Sequence, residues 1–151
     1  MDAKENRALF LDALESGKYA KVRFSMRAQH DLEFLDDNYG YCFWGLGCEI
    51  YRQKNPETSR WSGICFVMQT EACPEFQDGG ELNGILKEDS TELFFAERPP
   101  SAVVEFFGIP TDKIDLFMKM NDDKNDSFEY MAAWVKWFCN EGKFPLKSEV
   151  K

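Results

Sequence analysis

At 151 residues, 44% hydrophobic and 30% charged, the chain has the length and composition of one folded domain rather than of a disordered segment. A net charge of −9, from 18 basic and 27 acidic side chains, argues against general binding to DNA, RNA or anionic membranes, which needs Lys and Arg to displace counterions. No signal peptide is legible and the five cysteines (Cys42, Cys48, Cys65, Cys73, Cys139) are an odd number, so free thiols in a reducing cytoplasm are expected.

The N-terminus reads as a helix. Ala8, Leu11 and Leu14, with Phe10 beside them, form an apolar stripe at helical spacing, and Gly17 supplies the stop. Residues 17–23 then enter an extended segment. Residues 1–30 carry six basic and four acidic groups, a local +2, which leaves −11 on the remainder. Any anion site is therefore to be sought near that segment.

Tyr41 to Tyr51 is the most apolar run. Cys42, Gly45, Leu46 and Glu49 follow helical spacing, which favours a buried helix over a strand. Its two glycines then need a packing reason such as close approach of a neighbouring backbone, since each costs about 1 kcal/mol in a helix. From about 55 to 98, short apolar pieces alternate with Asn-Pro, Asp-Gly-Gly and Asn-Gly punctuation, which predicts short antiparallel strands or an irregular excursion.

The last third is helical. Pro99-Pro100-Ser101 opens a short helix through Val103, Val104, Phe106 and Phe107, stopped by Gly108 and Pro110. Thr111 is placed to cap a second, carrying Ile114, Phe117 and Met118. Asp126 and Glu129 have capping-box spacing for a third, whose face is Phe128, Met131, Ala132, Val135, Phe138 and Cys139, with Gly142 as terminator. Trp137 projects almost opposite that face and Trp134 lies at its edge, so both are candidate interface residues. The expected fold class is α+β, with a helical N-terminus and C-terminal third around a small antiparallel sheet, in a single domain spanning 1–151.

No catalytic, metal or cofactor site emerges. Zinc needs closely spaced thiolate and imidazole pairs. Cys42 and Cys48 have five residues between them, Cys65 and Cys73 have seven, and His30 is the single histidine. Asn121, Asp123 and Asn125 alternate like the first ligands of an EF-hand, but Asp126 and Ala132 stand where Gly and Glu belong. A thiol paired with His30 would come from Cys42 or Cys48, in a run that raises a thiol pKa. Gly45 and Gly47 lack the further residues of a phosphate loop. What remains is a constellation of Arg23, Arg27, Arg52 and Arg60 with Tyr19, Tyr51 and Trp61. Guanidinium groups grip phosphates and rings stack on bases, so these are the candidate ligand-binding residues.

Three blocks carry a resemblance: Ala13 to Tyr19, Tyr41 to Tyr51, and Phe106 to Ile109 followed by Met120-Asn121-Asp122 and Ser127-Phe128-Glu129. In that order the chain resembles a group of small tailed-bacteriophage and prophage proteins, over most of its length except about 55–98. Trp44 and Gly47 depart from the commoner small and aliphatic residues at those places. The resemblance implies a bacterial host cytoplasm and no particular activity.

Within that setting the expected function is a non-enzymatic binding protein of the counter-defence kind, for a host protein or a small nucleotide-like ligand. An acidic decoy, imitating nucleic-acid phosphates before a host enzyme, is the alternative. A small cysteine or carboxylate hydrolase is the third. Neither membrane association nor direct nucleic-acid binding is expected, and homo-oligomers are compatible with the aromatic surplus.

Overall fold

The structure is a computed structural model and describes residues 2–23, 25–29, 39–71, 85–86, 91–123 and 125–146; His30 and Cys73 lie outside the described residues. Helix α1 (Ala3–Glu15) starts where the Asp2 carboxylate accepts from the Glu5 amide at 2.9 Å. It is followed by Gly17 in the left-handed conformation, φ 72°. Phe10, Leu11 and Leu14 are buried as expected, but Ala8 is exposed and Ala13 takes its place inward. Asn6 and Arg7 are buried too, because the α1 face they share meets another helix rather than water.

The apolar run beginning at Tyr41 divides in two. Strand β1 (Arg27–Gln29) pairs antiparallel with β2 (Tyr39–Tyr41), Arg27 opposite Tyr41. Helix α2 (Phe43–Lys54) follows at once, buried continuously from Phe43 to Tyr51. Its first turn is capped by Cys42, whose Sγ accepts from the Gly45 amide at 3.2 Å. The packing reason required of the glycines is found at Gly45, because a Cβ there would stand 1.7 Å from the Met26 carbonyl oxygen. That carbonyl accepts from the Cys42 amide, while the Met26 amide donates to Ala96.

Beyond α2, strands β3 (Ser59–Ser62), β4 (Cys65–Gln69), β5 (Ile85–Leu86) and β6 (Glu92–Phe95) form an antiparallel sheet in the order β3-β4-β6-β5. The β3–β4 turn uses Gly63 at φ 58°. Strand alternation turns Trp61, Phe66, Met68, Leu93 and Phe95 to the core, with Arg60, Val67 and Phe94 on the other face.

Helix α3 (Ser101–Phe107) ends at Gly108, φ 63°. There Arg7 of α1 donates to the Phe107 carbonyl at 2.8 Å and to both Glu141 oxygens at 2.5 and 3.2 Å, while Asn6 donates to the Phe106 carbonyl. Thr111 does not cap the next helix. It opens a short 3-10 turn (Thr111–Lys113) preceded by Pro110, and α4 (Ile114–Asp122) continues from that turn. Helix α5 (Phe128–Phe138) is capped by Ser127, whose Oγ accepts from the Tyr130 amide at 3.1 Å, and not by Asp126, which sits one residue outside. Nor does Gly142 terminate it. Asn140 takes the left-handed position, at φ 59°.

One core cluster joins the helices to the inner face of the sheet, so the fold class is α+β. Phe10, Phe43, Trp44, Phe66, Phe95, Phe107 and Phe117 are its largest fully buried rings, and Phe43 and Phe117 stack at 4.4 Å. Among the described residues, no helix is long and apolar enough to cross a membrane.

Candidate functional site

A carboxylate inside an apolar helix must find partners or shed its charge. Glu49 of α2 finds three. It accepts from Arg52 Nε and Nη2 at 2.7 and 2.8 Å, from Gln53 at 2.9 Å, and from the Trp61 indole N–H of β3 at 3.0 Å. Burial alone would push this carboxyl up; the three donors together outweigh it and hold Glu49 below the ordinary carboxylate range. The bond to Glu49 raises Arg52, which also feels Tyr41 and Tyr19.

Trp61, thus oriented, starts a chain of rings. Tyr41 lies 5.8 Å from it, and Tyr19 lies edge-on to Tyr41 at 5.9 Å. On the same face of the β1–β2 ribbon, Arg27 places its guanidinium 3.7 Å from the Tyr39 ring centre and 5.1 Å from that of Trp61. The Arg27 Nε is buried and, among the described residues, has no hydrogen-bond acceptor. Cation–π contact of this kind contributes about 0.5–2 kcal/mol, but it satisfies none of the N–H groups.

Of the seven residues proposed from the sequence, four come together: Tyr19, Arg27, Arg52 and Trp61. Tyr51 does not, being buried on a different face of α2 and edge-on to Phe106 at 4.9 Å and Phe66 at 6.5 Å. Arg60 lies on the sheet face away from Trp61 and pairs with Glu92 at 3.1 Å. Arg23 stands at the end of α4, with a long contact of 3.4 Å to the Asp122 carbonyl. Three members were not anticipated. Glu49 could have been found, because an acid three residues before Arg52 in an apolar run implies a buried pair. Tyr39 and Tyr41 join through strand pairing, which leaves no local signal.

The two tryptophans of α5 sit on a separate surface. Trp137 is 41% exposed. Trp134 is half-buried, stacks on Phe138 at 5.3 Å and meets the Phe144 ring edge-on at 5.0 Å. Leu116, Met120, Tyr130, Trp134 and Phe138 line an apolar groove between α4 and α5.

The failed EF-hand position proves to be structural. Asn121 accepts from the Phe43 amide and donates to the Val22 carbonyl, both at 2.8 Å, and joins α4 to the start of α2. Burial pushes the Cys42 thiol up to about 11. Among the described residues, no three His, Cys, Asp or Glu side chains are grouped to hold a metal. In comparisons with known proteins, no family model, curated protein or solved structure matches the chain.

The site thus pairs an aromatic wall with a guanidinium whose buried Nε has no acceptor among the described residues. Such an arrangement can hold a planar group against the rings and a phosphate or carboxylate at the cation.

Proposed function

We propose that the protein is a non-enzymatic binding protein that holds a small nucleotide-like anion at Arg27, Tyr39 and Trp61. The observation that supports this most is Arg27 itself. Its guanidinium lies over Tyr39 and beside Trp61 while its buried Nε has no acceptor among the described residues. A buried donor left without a partner costs about 1–3 kcal/mol, which an incoming anion would recover. In the phage setting suggested by the sequence resemblance, such binding would sequester a nucleotide signal of host defence.

Titration calorimetry against cyclic dinucleotides, ADP-ribose and AMP tests this. One of them binds, and Arg27→Ala weakens it by about tenfold or more, the value of one charge-assisted bond. Absence of heat from the whole panel removes the ligand reading.

A second reading, docking on a host protein, draws on the Trp134–Trp137 surface. Trp137 and Phe144, 41% and 50% exposed with their rings 5.5 Å apart, put two large apolar side chains there. The acidic-decoy reading has less support: Glu15, Glu92, Asp112 and Asp115 each pair with Lys or Arg, which breaks up the negative surface.

A further inference from the structure

The geometry points to a second binding site, for a free amino acid with an apolar side chain, in the cleft between the last turns of α1 and α2. The cleft encloses about 320 Å³. That lies at the low end of the roughly 300–1,000 Å³ typical of ligand pockets, so it suits a body the size of one ring. Leu9 and Tyr19 form its apolar wall. Both are half-buried, packed on the core yet still partly accessible, and the buried Ile50 closes the floor.

The charged groups give the cleft its selectivity. Asp12, Lys18 and Lys54 line it, all three exposed, and among the described residues none of them joins an ion pair. The other polar groups are already engaged. Ser16 Oγ donates to the Ala13 carbonyl at 2.8 Å and accepts from the Lys18 amide at 3.1 Å, and the Gln53 side-chain amide donates to Glu49 at 2.9 Å. Both helices end here, and a helix C-terminus favours positive charge. Asp12 and the two helix ends therefore attract an ammonium group, whereas Lys18 and Lys54 attract a carboxylate. A pure anion meets Asp12 and a pure cation meets two lysines, so neither is matched. A zwitterion with an apolar body satisfies the wall and both signs at once. This chemistry is independent of the nucleotide reading, since none of Arg27, Tyr39 and Trp61 lines the cleft.

Amide NMR titration of the full chain with phenylalanine, 3-phenylpropionate and phenethylamine tests this, because the three share one ring and differ in the head group. Phenylalanine should move the amides of Leu9, Tyr19 and Gln53 in a saturable way and bind more tightly than either analogue. Asp12→Asn, at an exposed position, should weaken phenylalanine about two- to fivefold, the scale of one solvent-exposed charge pair, and should not weaken 3-phenylpropionate. Lys18→Gln combined with Lys54→Gln should weaken both of those ligands and spare phenethylamine. Unsaturable shifts, shifts confined to residues outside the cleft, an analogue that binds as well as phenylalanine, or an unaltered phenylalanine affinity in Asp12→Asn or in the double lysine variant would each overturn the assignment.

Discussion

The carbonyl oxygen of Met26 occupies the space where a side chain on Gly45 would begin. The two backbones meet so closely that an added Cβ would lie 1.7 Å from that oxygen and 2.6 Å from its carbon. No rotamer relieves this, because both obstructing atoms are main chain. Gly45→Ala should therefore cost about 3 kcal/mol or more, or prevent folding, despite the better helix propensity of alanine. Gly47→Ala is the control. Its Cβ would meet only the Phe10 and Phe107 rings at 3.3–3.5 Å, so its urea midpoint should stay within about 1 kcal/mol of the parent.

Asn121 carries a second prediction. Its side chain serves two backbone groups from different parts of the chain, and Asn121→Leu strips both of their partner inside the core. The expected loss is about 2–4 kcal/mol in urea unfolding, well above that for a substitution at exposed Lys119.

Glu49 makes stability depend on acid. Its carboxyl sits below the unfolded reference of 4.5, so the folded state binds its proton less readily than the unfolded chain does. The contribution is complete above pH 4.5 and fades as the pH falls through the lower folded value. Glu141, held down by Arg7, acts in the same direction. Urea midpoints between pH 7 and about pH 3 should fall for the parent chain. Glu49→Gln should be less stable at pH 7 and show a shallower fall with acid. An equal slope in the variant would exclude Glu49 as a source.

Thiol accessibility gives a fourth. Cys42, raised to about 11, and Cys48, fully buried, should resist iodoacetamide in the native protein at neutral pH. Cys65 and Cys139, both partly exposed, should be alkylated first, as read by peptide mass mapping. Early labelling of Cys42 would contradict the packing at the start of α2.

The helices were largely legible because their signals are local. The Leu11–Leu14 stripe, the Gly108 stop and the Met131–Val135 face all lie within a turn or two of the structure they specify. Caps were less so, since Asp126 and Ser127 are adjacent and both suit the role; only the backbone path makes Ser127 the acceptor. The candidate site was half legible. Arg27, Arg52, Tyr19 and Trp61 stand out by residue type, but Tyr39 reaches Arg27 through a ribbon pairing set by the fold. The same types at Arg60 and Tyr51 point elsewhere, one across the sheet and one into the core. Residue type names the candidates, and tertiary pairing selects among them.

Arg7 has a bearing on how the chain is made as well as on how it stands. Its guanidinium closes on a carbonyl 100 residues away and a carboxylate 134 residues away. During synthesis α1 therefore waits, with its cation unpaired and its apolar face bare, until Phe107 and then Glu141 have emerged. At synthesis rates of about 5–20 residues per second, the 134 residues take about 7–27 seconds. Over that time the apolar face of α1 is open to capture by chaperones.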